Sequence, residues 1–293
     1  MSTVAADSFA PRELFIGLFD DAALFPPGNA PMVRSVPAHL AYAEASCGDL
    51  VGPFLCPASR LEELCTTLDD DAALDLTIVV DTGTGGLVDA VAAVTGDRRL
   101  DLRGVELVLR AEHDLGTSAR RTVAAVLDAG LPHTAAVFVE VARGGHPGPA
   151  LDVLAEYDLS AKLRTGGADP SAYPSEAEVA TFLVACLDRE VAVKCTAGLH
   201  HAVRNTAPGS GFEQHGYLNL LLAVDAALDG ADERGVAAEL GDRDAPAVAA
   251  RVRSLTADKA ARTRVWFRSL GTCSIDEPVD ELRALGLIDQ TPT

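Results

Sequence analysis

Short apolar runs alternate with amphipathic helical stretches along most of the chain. Strand-like runs fall at Val51–Cys56, Leu76–Asp81, Val105–Arg110, Thr134–Val141, Ser160–Arg164, Val191–Thr196 and Val236–Leu240, and Val265–Ser274 is either an eighth strand or the end of a helix. Helical spacing lies between them, near Ser59–Leu68, Leu87–Val94, Ser118–Ala129, Pro149–Tyr157, Ser175–Arg189, Tyr217–Leu228 and Pro246–Ala261, with Val279–Leu287 closing the chain. Strands and helices in this rhythm predict βαβ units and a parallel sheet. The repeat count fits an α/β fold of (β/α)8 TIM-like barrel type. A doubly wound open sheet is the competing architecture, but the first βα turn lacks a GxGxxG fingerprint.

Residues 1–50 read as an N-terminal extension that packs on a barrel domain of residues 51–293. The extension holds Leu18-Phe19-Asp20-Asp21-Ala22-Ala23-Leu24-Phe25-Pro26-Pro27-Gly28-Asn29 and a helix from about Pro37 to Ser46. Its paired prolines enforce an extended turn. The extension either closes the barrel's bottom or reaches over its mouth with Asp20 and Asp21.

Composition narrows the function. The 293 residues carry 43 acidic and 24 basic side chains, a net charge of −19, which repels nucleic-acid backbones. No apolar run approaches the ~20 residues needed to span a bilayer, and no secretory signal opens the chain. Six cysteines without a CxxC pair suggest buried thiols in a reducing cytoplasm. The expected partner is a small anionic substrate, with neither nucleic acid nor membrane. Barrels of this size also pair through their helices, so a homo-oligomer is compatible with the sequence.

The basic residues are unevenly chosen. Only Lys162, Lys194 and Lys259 are lysines; the rest are arginines. Lysine can lose its proton and attack a carbonyl, which arginine cannot do. Lys259 lies in a polar helical stretch, whereas Lys162 and Lys194 lie inside apolar runs. Strand alternation turns Ala192, Lys194 and Thr196 toward the barrel interior, and Lys162 with Arg164 likewise. The same phase puts Asp81, Arg110, Glu140 and Glu239 on the interior rim, with Glu106 and Val108 in phase with Arg110. A ring of buried charges marks function more often than structure, although mutual ion pairs are the structural alternative.

Ala197-Gly198-Leu199-His200-His201 follows the sixth predicted strand, and either histidine can serve as acid/base or metal ligand. Gly-rich turns occur at Thr82–Gly86, Gly144-Gly145 and Gly166-Gly167. The last pair, beside Arg164, is the best anion site, because guanidinium pairs bidentately with carboxylate or phosphate. His39, His113, His133 and His146 have no evident partners. Cys273 and Ser274 can line the site, but Ser274 followed by Glu277 reads better as a capping box.

Phe25-Pro26-Pro27, Ala161–Gly167, Lys194–His201 and Cys273–Pro278 together resemble a family of uncharacterised bacterial proteins. Val193-Lys194-Cys195-Thr196-Ala197-Gly198 is similar to the sixth-strand lysine motif of class I aldolase barrels, such as the deoxyribose-phosphate aldolase family. That resemblance implies a Schiff base on Lys194. His200-His201 and the lack of a lysine on the predicted seventh strand depart from it.

The reading is a lyase or aldolase-type enzyme acting on a small anionic carbonyl compound, needing no cofactor and no metal. Lys194 is the expected nucleophile, its pKa lowered by Lys162 or Arg164, with Lys162, Glu140 and His200 as further catalytic groups. Arg164, Arg110, Asp81, Thr196, His201, Arg204, Gly166 and Gly167 form the expected substrate-binding set. Two alternatives stand beside it. One is a metal-dependent hydrolase or lyase using Glu140, His200, His201 and Glu239. The other is a non-enzymatic small-molecule binding protein.

Overall fold

A computed structural model describes residues 9–110, 114–142 and 146–290. Eight parallel strands close into a barrel: β1 (Phe19–Asp21), β2 (Val51–Pro57), β3 (Leu74–Val79), β4 (Leu100–Val108), β5 (Ala136–Glu140), β6 (Ser160–Arg164), β7 (Val193–Thr196) and β8 (Phe267–Thr272). Each strand pairs with its neighbour in sequence, and β1 pairs with β8 to close the ring, Phe19 opposite Leu270. The fold is therefore a (β/α)8 TIM-like barrel.

Two expectations are corrected. Residues 1–50 are not an extension outside the barrel, because Phe19–Asp21 is its first strand. All three of its residues are buried, so it shows no half-exposed alternation to read. Val236–Leu240 is not a strand; it lies in helix α8 (Glu233–Gly241). Its buried residues are Val236 and Leu240, four apart on one helical face. The count moves accordingly: Lys162 stands on the sixth strand and Lys194 on the seventh.

The other helices are α1 (Met32–Glu44), α2 (Leu61–Thr67), α3 (Leu87–Thr95), α4 (Leu115–Asp128), α5 (Gly148–Glu156), α6 (Glu176–Leu187), α7 (Tyr217–Leu228), α9 (Ala245–Ser254), α10 (Ala257–Trp266) and α11 (Asp276–Ala284). The stretch read as one helix over Pro246–Ala261 is two, α9 and α10, with Thr256 capping the second through the Lys259 N–H. Helix α4 buries Ala119, Val123 and Val126 on one stripe and starts at Asp114, whose carboxylate accepts the N–H groups of Gly116 and Thr117. Ser175 and Glu178 form a reciprocal capping box on α6. Tyr217–Asp225 of α7 is buried on every side, because α8, α9 and α10 cover the face turned away from the barrel.

All six cysteines are free. Among the described residues no helix is long and apolar enough to cross a membrane. His113 and the Gly144-Gly145 turn lie outside the described residues.

Candidate functional site

The barrel interior holds a continuous chain of six charged side chains. Glu106 of β4 is its centre. Its Oε2 lies 2.6 Å from Lys162 Nζ and its Oε1 lies 2.5 Å from Lys194 Nζ. Lys194 also contacts Asp20 Oδ2 of β1. Lys162 continues the other way, 3.0 Å from Glu140 Oε2, and Glu140 Oε1 accepts from Arg164 Nε at 2.9 Å. Ser269 of β8 donates to Asp20 Oδ2 at 2.8 Å. The Phe138 ring lies 4.9 Å below the Lys194 ammonium, a cation–π contact.

Strand register builds this arrangement. Glu140 pairs with Lys162, and Lys162 with Lys194, which sets the two lysines side by side. Glu106, opposite Phe138 and two residues before the level of Glu140, reaches both ammonium groups and separates their like charges. Leu270 pairs with Cys195 and Asp20 with Gly271, which carries Ser269 and Asp20 alongside Lys194. Gly52 is required here: a Cβ at that position would lie 2.1 Å from Asp20 Oδ1.

The chain has a buried end and an open end. Side-chain exposure is 0% at Lys194, 4% at Lys162, 12% at Glu140 and 48% at Arg164. Arg164 ends β6, so the open end is the C-terminal rim of the barrel, the face where this fold carries its chemistry.

Burial and pairing compete at every group. For Lys194, burial disfavours the ammonium, but Asp20 and Glu106 together outweigh it and leave the pKa above the ordinary lysine value. The expectation that Lys162 or Arg164 lowers the Lys194 pKa is thus overturned by the two carboxylates in contact with the ammonium. For Glu106, burial is overcome by Lys162 and Lys194, which hold its pKa at about 2. Glu140 is lowered too, burial being outweighed by Lys162 and Arg164. Asp20 goes the other way: burial raises its pKa more than Lys194 and Ser269 lower it. Asp20 is therefore the carboxyl in the cluster most ready to take up a proton.

Lys162, Lys194, Glu140 and Arg164, all expected at the site, are brought together. The rest of the expected set is elsewhere. Asp81 caps the turn before α2, accepting from Ser59 N at 3.0 Å and Ser59 Oγ at 2.5 Å. Arg110 lies beyond the end of β4 with an exposed side chain and joins no ion pair among the described residues. His200 Nδ1 is 3.1 Å from Glu277 Oε2 and 3.9 Å from Cys273 Sγ. His201 Nδ1 is 2.6 Å from Glu281 Oε1. Both histidines thus tie the loop after β7 to the start and middle of α11. Burial raises the Cys273 thiol pKa, which suits a packing role rather than a nucleophile.

Arg204 is buried against Glu176 at 2.7 Å. Thr196 is half-buried, and its carbonyl accepts from Thr165 N at 2.8 Å. Gly166 touches the loop after β7, where a Cβ would lie 2.8 Å from Gly198 Cα. Ala197 and Gly198 both take positive φ there, 66° and 70°. The Gly167 carbonyl accepts from Tyr173 Oη at 3.0 Å. These glycines are explained by close loop packing.

The metal set of the alternative reading is not assembled. Glu239 sits on α8 and pairs with Arg251 at 3.2 Å, while Glu140 faces two cations. Among the described residues no three His, Cys, Asp or Glu side chains converge as a ligand set.

Asp20, Glu106 and Ser269 were not singled out from the sequence as site residues. Glu106 shares the inward phase of its strand but sits two residues short of the strand end, where barrel chemistry is expected. Asp20 was hidden by the missed strand. No protein-family model matches the chain, and no curated protein is significantly similar to it.

Proposed function

We propose that the protein is a lyase of aldolase type that processes a small anionic carbonyl compound through a lysine Schiff base. The observation that carries this reading is the convergence of two lysines from adjacent strands on one carboxylate, Glu106, inside a barrel. Lysine is the cation whose neutral form can attack a carbonyl, and the chain spends two of its three lysines here.

The gradient of exposure divides the roles. Lys162 is nearer the rim and is the nucleophile; Lys194 lies deeper and is held charged by Asp20 and Glu106. The motif likeness to class I aldolase barrels falls on Lys194, the nucleophile expected from the sequence; the choice of Lys162 instead rests on its place nearer the rim. Arg164 receives the substrate's carboxylate or phosphate. Leaving Glu140 for that anion, Arg164 removes one of the cations that lower the Glu140 pKa. Glu140 then takes a proton from Lys162, and the neutral amine attacks the carbonyl carbon. Glu140 returns the proton to the carbinolamine hydroxyl, which leaves as water and gives an iminium ion. Ionised Glu140 then takes the proton of the β-hydroxyl as the carbon–carbon bond breaks, its electron pair passing to the iminium to leave an enamine and release an aldehyde.

Borohydride reduction in the presence of small aldehydes and 2-oxo acids tests this reading. The expected product is a secondary amine on Lys162, found by intact mass and peptide mapping, absent from Lys162→Arg and reduced in Arg164→Ala for anionic substrates only. A folded protein that traps nothing on either lysine refutes it.

One observation favours a second reading. The cluster contains three carboxylates and three cations, so it is neutral as a closed ionic core. A non-enzymatic barrel built on such a core traps no carbonyl compound, and the same experiment separates the two.

A further inference from the structure

A cavity lies at the end of the barrel opposite the Arg164 rim. Its volume is about 400 Å³, within the range of small-molecule sites. Val51, Leu74 and Leu100, the first residues of β2, β3 and β4, line it, with α1 forming the far wall. Two of its lining residues are small, Ala43 and Ala73.

Its charged groups are unevenly satisfied. Arg99 is committed to Asp97, at 2.6 and 2.9 Å, and to two carbonyls. His39 lies 3.1 Å from Asp21 through Nδ1. Asp75 and Asp101 share one cation, Arg103, at 3.0 and 3.5 Å, so that side carries a surplus negative charge. Arg98 donates to a backbone carbonyl, that of Asp70 at 2.8 Å, and has no carboxylate partner among the described residues. The cavity therefore offers one cation without a counter-charge, one acidic pair with half of its counter-charge, and an aliphatic wall of Leu40, Leu74 and Leu100.

We propose that this cavity binds an α-amino acid with an aliphatic side chain. The ligand's carboxylate takes Arg98, its ammonium takes Asp75 and Asp101, and its side chain covers the leucines. A zwitterion supplies both missing charges at once, whereas a simple anion meets the acidic pair and a simple cation meets Arg98. The site is separate from the Lys162 region and independent of any Schiff-base chemistry.

Calorimetric titration of the full chain with L-leucine, L-leucinamide and 4-methylpentanoate tests it. Leucine is expected to bind saturably and each analogue at least about tenfold more weakly, the effect of losing one charge-assisted contact. Arg98→Ala is expected to weaken leucine by a similar factor and to leave leucinamide unchanged, while Arg164→Ala at the rim changes neither. Ala73→Leu fills the cavity without altering a charge and serves as the second variant if Arg98→Ala lowers the unfolding midpoint. The proposal is overturned by the absence of saturable leucine binding up to about 10 mM, by analogues that bind as well as leucine, or by affinity that depends on Arg164 in place of Arg98.

Discussion

Replacing Lys194 with Met tests whether the interior cluster is held together as its geometry indicates. Methionine keeps the unbranched shape over Phe138 and removes the charge. Glu106 retains Lys162 at 2.6 Å, but Asp20 loses its ion-pair partner and keeps the Ser269 hydroxyl. Breaking a buried pair by removing one member costs about 3–5 kcal/mol near neutral pH. The pH dependence has a definite sign. Asp20 already has a raised pKa through burial, and without Lys194 it rises further. The folded variant then binds a proton that the unfolded chain does not, so its stability increases as pH falls, by at most about 1.4 kcal/mol per unit per proton. Lys194 itself, raised above the ordinary lysine value, contributes its stability below that value and loses it only in strong alkali, outside the window. Urea unfolding of both proteins at intervals from pH 8 to pH 5 measures the difference. The deficit of the variant should shrink toward acid. A deficit below about 1 kcal/mol that stays flat with pH would refute the view that Asp20 and Lys194 form an indispensable buried pair.

Other consequences are more local. Gly52→Ala places a Cβ 2.1 Å from Asp20 Oδ1; it should destabilise the protein by about 1–3 kcal/mol in chemical denaturation, as overpacking does, and lower trapping at Lys162. Gly166→Ala meets the backbone of Gly198 at 2.8 Å and should lower the thermal midpoint, whereas Gly209→Ala, with nothing within 4 Å, should not. His215 is fully buried with Nε2 on the Pro174 carbonyl at 2.8 Å, and burial with nearby Arg204 lowers its pKa to about 4. It stays neutral in the fold while the unfolded chain protonates near the ordinary 6.5, so stability falls as pH drops from about 6.5 toward 4. Proton NMR of its ring should show no titration above pH 5, and a midpoint near 6.5 would contradict its burial. Glu106, lowered to about 2, adds a second acid-sensitive step: its contribution is present above the ordinary glutamate value and is lost as pH falls through about 2.

Much of this architecture was legible because barrel strands are apolar runs punctuated by amphipathic helices. Ser160–Arg164 and Tyr217–Leu228 coincide with their predicted limits. β1 was not legible, since three residues carry no periodicity and two of them are aspartates, a residue that strands disfavour. Val236-Ala-Ala-Glu-Leu240 was misread because a short apolar run fits either element until the i, i+4 spacing of Val236 and Leu240 is weighed. At the site, the scarcity of lysine pointed to Lys162 and Lys194, and alternation turned both inward. What alternation could not give was height along the barrel axis. Asp81 and Arg110 share a phase with interior residues, yet both lie past their strand ends, at Val79 and Val108. Height depends on register between strands, a long-range property, and that same register brings Asp20 and Ser269 to Lys194.

The order of charges along the cluster bears on what it is for. Enclosing both members of an ion pair carries the full desolvation penalty, so the half-exposed end of this cluster is its least costly and most accessible charge. Here the last member, Arg164, is half exposed, and its partner Glu140 lies between that arginine and a buried lysine. An anion arriving at the rim competes for Arg164, and the change in Glu140 is felt at Lys162 by direct contact. The deep pair of Lys194 and Asp20, anchored by Ser269 and closed off by Gly52, does not move with it. The arrangement is a buried charge pair at one end and a half-exposed charge at the other, with Lys162, the proposed nucleophile, between them. A purely structural core predicts that Arg164→Ala affects stability alone; the graded cluster predicts that it separates anionic from neutral carbonyl substrates in the trapping experiment while the folded state persists.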